Sequence, residues 1–138
     1  MIQFYFLSIV LNALSGYVLI KEPGDAEIGG DAETGLEFHL SLQNETTRLI
    51  LGLLTIVVGL LKILSSQDMA VIGDLIPALA GFLAGFILVF EYYRSRSTLE
   101  PEHTDRIERL LIHNKKWIGY LALAVAALHF LFPSVLLL

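Results

Sequence analysis

Long apolar runs alternate with short polar stretches along this chain, and the pattern predicts helices that cross a membrane. A helix needs roughly 20 apolar residues to cross the ~30 Å hydrocarbon core of a bilayer. Four segments approach that length, at residues 2–20, 46–64, 69–90 and 117–138. Little chain remains outside them, so the sequence predicts an all-α integral membrane protein that forms a single transmembrane domain over residues 1–138.

The polar stretches between the predicted spans differ in length and character. Residues 65–68 form so short a loop that the second and third spans are expected to make an antiparallel hairpin. The first loop is rich in Gly and Asp and then alternates apolar and polar residues over 36–42, which favours an extended segment, with a pair of β-strands as the alternative. Asn44 followed by Glu45 is typical of the start of a helix, and here it would cap the second span.

The third loop carries a helical pattern of its own. Ile107, Leu110 and Leu111 stand at i, i+3 and i+4 with charged residues between them. This spacing predicts a short amphipathic helix on the membrane surface. A solvated connector, whose charges serve only to fix topology, is the alternative interpretation.

Composition agrees with a membrane protein and removes several other classes. Of the 138 residues, 55% are hydrophobic and only 17% are charged, which is unusual for a soluble domain. There is no cysteine, so disulfide frameworks and thiolate zinc sites are excluded. The first apolar segment has no basic residues before it and no small-x-small cleavage site after it, so we predict a retained span.

Lys and Arg are distributed unequally between the loops, and such residues favour the cytoplasmic side. Lys62 alone borders the second loop, whereas eight basic residues lie in or beside loops one and three. The sequence therefore predicts a bacterial inner-membrane protein with loops one and three cytoplasmic and both termini outside. The eight are Lys21, Arg48, Arg94, Arg96, Arg106, Arg109, Lys115 and Lys116. The last four of this series are predicted to contact anionic lipid headgroups.

The chain aligns with itself. Residues 10–18 match residues 75–83 at an offset of 65, and residues 48–64 match residues 115–131 at an offset of 67. We therefore predict a tandem duplication, with repeat 1 at about 1–66 and repeat 2 at about 67–138. Each repeat contains two spans, so the two helical hairpins share one orientation and are related by a pseudo-twofold axis along the membrane normal.

Small residues recur at helical spacing on corresponding faces of the two repeats, which predicts helix-packing seams. Glycines spaced in this way let helix backbones approach each other in a membrane. A kinked, mobile helix that lines a pathway is the alternative interpretation of the proline-containing face. The seam residues are Ser8, Gly16, Gly52, Gly59, Gly73, Pro77, Gly81, Gly85 and Gly119. Asn12 aligns with Pro77, and we expect its amide to form a hydrogen bond across the seam.

Ionisable residues within membrane spans are costly and are functional candidates by default. Lys62, Asp74 and His129 all fall toward the outer side, with Asn12 at mid-depth. They would form either a polar cluster on a pathway or a set of separate structural contacts. At the opposite face, Glu91 and Arg48 are placed to form an interfacial ion pair.

These features favour a protein that acts by association, as a homo-oligomer or as a non-catalytic subunit of a membrane complex. The alternative is a small transporter or channel with a polar pathway between the repeats. A membrane enzyme acting on lipid is a weaker third hypothesis. The four histidines lie in separate places and no phosphate-binding loop occurs, so the sequence predicts no enzyme, no metal site, no cofactor and no nucleic-acid partner.

Overall fold

The computed structural model describes residues 2–21, 41–65, 71–97 and 105–132, and within these ranges the chain is helical with no β-strand. The all-helical fold agrees with the prediction. The short helix predicted in the third loop is present and spans nine residues. The helices are α1 (Ile2–Ile20), α2 (Glu45–Ser65), α3 (Val71–Arg96), α4 (Asp105–His113) and α5 (Lys115–Leu131).

The four long helices form a bundle in which α1 and α3 are central. The most extensive contacts join α2 to α3 and α1 to α5. Both α1 and α3 touch all three other long helices, so α2 and α5 flank the central pair. In α4, Leu111 packs against the core, whereas Leu110, which the sequence places on the same apolar face, is exposed.

By length and composition alone, two helical segments could cross a membrane. They are Glu45–Leu64 in α2 and Leu75–Arg96 in α3. The apolar part of α1, Tyr5–Ile20, is shorter, and α5 has 17 residues. The described helices therefore provide two candidate spans, whereas the sequence predicts four.

Two helices end at positions that differ from the prediction. α3 continues to Arg96, six residues beyond the predicted end at residue 90, and the added turns carry Glu91, which bonds to two neighbouring helices. α5 ends at Leu131, and Phe132 N–H closes it on the Leu128 carbonyl at 2.9 Å. The following residue is a proline, which disfavours a helical conformation at Phe132. Residues 133–138 lie outside the described ranges.

The expectation of an extended segment over residues 36–42 is wrong at its described end. Residues 41–43 are helical, and Leu42 is buried in the core. The Gln43 amide donates to the Lys21 carbonyl at 3.1 Å, so tertiary contacts override the local alternation. Residues 36–40, like the second-loop residues 66–68, lie outside the described ranges. Asn44 caps α2 as predicted, since its side-chain oxygen accepts from Thr46 N–H at 3.1 Å.

Polar side chains lie inside this bundle and large apolar side chains cover its outside. Leu, Val, Ile and Ala side chains fill the remaining interior. The buried residues are mainly apolar, as in soluble domains, but the exposed surface carries far more large apolar side chains than a soluble domain usually shows. Among the residues that the structure describes, six polar ones are buried, namely Ser8, Asn12, Ser15, Thr55, Lys62 and His129. Exposed apolar residues include Leu53, Val57, Leu60 and Leu64 on α2, Leu79, Phe82 and Phe86 on α3, and Trp117, Leu121 and Phe130 on α5.

Candidate functional site

A buried polar contact joins α2 to α5 at one end of the bundle. Lys62 Nζ lies 2.7 Å from His129 Nε2, and the two residues are only 6% and 3% exposed. A charged lysine has hydrogens but no lone pair to offer, so it donates only to an Nε2 that carries no proton. In that state the imidazole holds its hydrogen on Nδ1 and is neutral.

Tyr5 of α1 completes this contact and was not identified from the sequence. Its hydroxyl donates to the His129 carbonyl, and the two ring centroids are 4.6 Å apart. Lys62 Nζ also lies over the Tyr5 ring, 5.5 Å from its centroid. Cations are attracted to the electron-rich face of an aromatic ring. The Tyr5–Lys62–His129 cluster therefore links α1, α2 and α5.

The four residues predicted for a polar pathway are placed as follows. Lys62 and His129 contact each other directly. Asp74 lies in the first turn of α3, and its side chain is outside the described part of the chain. Asn12 is buried more than a helical turn further along α1 from Tyr5 and contacts α3 rather than the cluster.

Asn12 joins the two central helices. Its side-chain nitrogen donates to the Pro77 carbonyl at 2.9 Å, across the seam where the sequence placed the two residues opposite each other. Its side-chain oxygen lies so close to Gly81 that a Cβ there would overlap with it, so a larger residue would displace the amide. Pro77 is buried within α3, and Gly73 precedes it in the first turn of that helix.

A second buried hydrogen bond lies one turn further along α1. The Ser15 and Thr55 hydroxyls are 2.8 Å apart, and Thr55 Oγ1 also contacts the Leu51 carbonyl at 2.7 Å. Thr55 therefore donates to its own helix and accepts from Ser15. Ser15 was missed because serine is common on membrane helices; its place beside Gly16 on a small-residue face was the available signal.

Two glycine pairs mark the closest approach of neighbouring helices. A Cβ built on Gly16 would lie 2.7 Å from the Gly119 carbonyl oxygen, and one on Gly119 would lie 2.8 Å from that of Gly16. Gly52 and Gly85 behave in the same way, at 2.8 and 2.6 Å. The glycine seams therefore join α1 to α5 and α2 to α3, where no side chain larger than hydrogen fits.

The other seam residues are less constrained. A Cβ at Gly59 would lie 3.1 Å from the Ala78 carbonyl, which is tight but not prohibitive. Ser8 is buried on α1 with 4% of its surface exposed. For Gly73, only the helical backbone is described.

A charged cluster lies at the other end of the bundle. Glu91 of α3 binds Arg48 of α2 through Oε2 and Lys115 of α5 through Oε1, the latter at 3.0 Å. The three side chains are 15%, 13% and 18% exposed. The sequence suggested the Arg48–Glu91 pair but assigned Lys115 to lipid headgroups; in the structure Lys115 is an ion-pair partner. We refer to this cluster as the Arg48–Glu91–Lys115 triad.

The other residues predicted to contact headgroups lie on the surface at the same end. Arg106 and Arg109 are exposed on α4, and Lys116 is exposed at the start of α5. Arg96 forms an exposed ion pair with Glu45 at 3.5 Å. Exposed pairs of this kind contribute little to stability.

The fold and these two clusters define an all-helical bundle with charged or polar contacts at both ends of an apolar body. The chain belongs to a protein family whose model matches residues 1–129 and carries no functional description. It is 31% identical, over 140 residues that cover 100% of both chains, to a protein of Treponema pallidum (strain Nichols) named only as an uncharacterized protein. No solved structure matches the chain. A functional proposal must therefore rest on the geometry of the described residues.

Proposed function

We propose that this protein is a four-span integral membrane protein of the inner membrane that acts by association, without catalysis. The distribution of side chains supports membrane insertion. Large apolar residues face outward from α2, α3 and α5, while hydroxyl, amide and charged groups are buried. A soluble protein rarely exposes so extensive an apolar surface, whereas a bilayer favours it.

Packing supports four spans rather than two. α1 and α3 lie side by side at the centre, and α5 packs along α1. Because α3 is long and apolar enough to span a bilayer, its packed neighbours would lie in the same layer. The basic residues Arg48 and Lys115 lie at one end of the bundle and would face the cytoplasm.

The closed interior of the bundle is the observation that most directly supports association. The reciprocal Gly16–Gly119 and Gly52–Gly85 contacts leave no room for a Cβ between helices. Asn12 finds its acceptor on the neighbouring central helix. The Ser15–Thr55 and Lys62–His129 pairs likewise bond within the chain, and the broad apolar outer surface remains for contact with other membrane helices.

Introduced cysteines test this proposal cleanly, because the chain has none of its own. Single cysteines would replace the exposed residues Leu54, Leu60, Phe82 and Leu121, and Ala84 would serve as the buried control. We expect disulfide-linked dimers, or adducts of one reproducible mass, from positions along one helix face. Association would be refuted if all exposed positions cross-linked to the same extent. It would also be refuted if no position cross-linked and the protein had a monomeric mass in native membranes.

A transporter with a polar pathway between the repeats is the second candidate. The observation that favours it is the series of buried polar groups along the bundle, from Lys62 and His129 through Asn12 to Ser15 and Thr55. Apolar residues such as Leu51 and Leu88 separate this series from the Arg48–Glu91–Lys115 triad. Ion or proton flux into liposomes that contain the protein tests this candidate. A flux that falls in a Lys62→Met variant and persists in a Leu61→Met control would favour transport over association.

A further inference from the structure

We propose that the Arg48–Glu91–Lys115 triad binds the phosphate of one anionic phospholipid. The inference rests on the proposed membrane location and adds a specific ligand to it. The triad combines two cations with one carboxylate, from three different helices. Its net charge is therefore positive by one unit at a place where water has little access.

An unbalanced charge among side chains that are 13–18% exposed is unfavourable, because burial weakens hydration of the extra cation. Glu91 carries a single negative charge, shared by two oxygens that each face one cation, so it cannot neutralise both partners. A bound anion would restore the balance. The positive excess is thus the first argument for a ligand at this site.

Unused donors supply the second argument. Arg48 Nε is buried and has no hydrogen-bond partner. Lys115 Nζ carries three hydrogens, of which the bond to Glu91 uses one. Phosphate oxygens suit both groups, because guanidinium binds phosphate through parallel N–H bonds and ammonium pairs with it as a point charge.

The start of α5 is consistent with an anion. Lys115 is its first residue, a position where the helix dipole disfavours a cation. Asn114 makes no side-chain cap and instead donates to the Leu110 carbonyl at 3.0 Å. An anion held by Lys115 would approach N–H groups of this first turn, which normally receive a capping oxygen.

The surroundings favour a lipid phosphate over a free one. Trp117 is 75% exposed two residues beyond Lys115, and Tyr93 is 63% exposed two residues beyond Glu91. Exposed aromatic residues of this kind mark the level of headgroups in membranes. Basic pockets between membrane helices are established sites for anionic headgroups.

Native mass spectrometry of the purified full chain in detergent tests the site. The chain would be titrated with phosphatidylglycerol and with phosphatidylcholine of the same acyl chains. We expect one phosphatidylglycerol to bind about tenfold or more tightly than phosphatidylcholine, because the choline cation cancels the charge of the phosphate and would lie near Arg48 and Lys115. Lys115→Met should abolish this preference and Lys115→Arg should retain it. The Lys115→Met variant retains the Arg48–Glu91 pair, whose charges balance. Circular dichroism would verify that this variant is folded.

Arg94→Gln is the matched control, because it removes one exposed cation near the end of α3, at the same end of the bundle. It should keep the preference; an equal loss would mean diffuse attraction and would overturn the site. Absence of any preference in the native chain would overturn it as well. Inorganic phosphate would also be titrated into lipid-free protein. If it bound as tightly as phosphatidylglycerol, and if Lys115→Met abolished that binding, the site would be assigned to free phosphate instead. Carbonate extraction of membranes separately tests membrane integration, so the two proposals can fail independently.

Discussion

Lys62 and His129 are 67 positions apart in the chain and touch each other at 2.7 Å. The same offset relates Arg48 to Lys115, and both of those residues bind Glu91. Asn12 and Pro77, which align in the other half of the predicted repeat, are joined by a hydrogen bond. Equivalent residues of two repeats meet only near the axis that relates them. These contacts are what the proposed duplication predicts if its axis runs inside the bundle.

The Lys62–His129 contact predicts energetic coupling between the two residues. Lys62→Met and His129→Leu should each lower the free energy of unfolding by about 1–3 kcal/mol, since each leaves a buried polar partner behind. The double variant should cost less than the sum of the two, because neither group is then stranded. Unfolding in mixed detergent, monitored by circular dichroism, measures all three variants.

Leu61→Met is the control for this cycle, since Leu61 is exposed beside Lys62 and the change is nearly isosteric. It should leave stability within about 0.5 kcal/mol of the native chain. Strictly additive costs of the Lys62 and His129 changes would contradict a direct contact.

The glycine pairs predict a steric ranking of alanine substitutions. Gly16→Ala should destabilise by about 1–3 kcal/mol, because its Cβ would overlap a backbone oxygen that cannot move without shifting α5. Gly59→Ala should cost less, since its Cβ would lie 3.1 Å from the Ala78 carbonyl and alanine favours helix. Thermal unfolding of both variants decides the point. If Gly16→Ala proved as stable as Gly59→Ala, the close approach of α1 and α5 would be wrong.

The Arg48–Glu91–Lys115 triad predicts an order of destabilisation. Glu91→Gln leaves two cations facing a neutral amide and should cost about 3–5 kcal/mol, as for other broken buried pairs. Lys115→Met leaves a balanced Arg48–Glu91 pair and should cost much less. Unfolding free energies measured in lipid-free detergent give the order. Equal costs would mean that Lys115 contributes to the cluster as much as the carboxylate does.

The proposed topology predicts which positions react with a membrane-impermeant thiol reagent in intact cells. A cysteine at Gln3, exposed near the start of α1, should be labelled from outside. A cysteine at Ser97, just past the end of α3, should be labelled only after the membrane is permeabilised. The reverse pattern would show that the charge distribution had been misinterpreted.

Helix positions were largely predictable from sequence because they depend on runs of apolar residues and on local caps. α1 has the predicted bounds, and Asn44 caps α2 as expected. The end of α3 was misjudged for a tertiary reason. Glu91 looked like the first residue of a polar loop, but partners on α2 and α5 hold it within the helix.

The candidate sites were predictable only where the repeat or the cost of burying charge singled out a residue. Lys62, His129 and Asn12 carried such signals, as polar residues within apolar segments. Tyr5 did not, because a tyrosine near the end of a span is expected at the interface whether or not it bonds to another helix. A local sequence pattern also does not show which helices pack together, since α1 and α5 are in contact although most of the chain separates them.

The pairing of α1 with α5 has a consequence for biogenesis. α1 is synthesised first, yet its main partner is the last of the described helices to leave the ribosome. Until then, the groove at Gly16 is uncovered and Lys62, already in place on α2, has not met His129. The nascent chain therefore carries Lys62 without its α5 partner until His129, 67 residues later, has been synthesised. Synthesis of α5 is the step that closes the bundle of described helices, so a chain truncated before α5 leaves Lys62 and the groove at Gly16 uncovered.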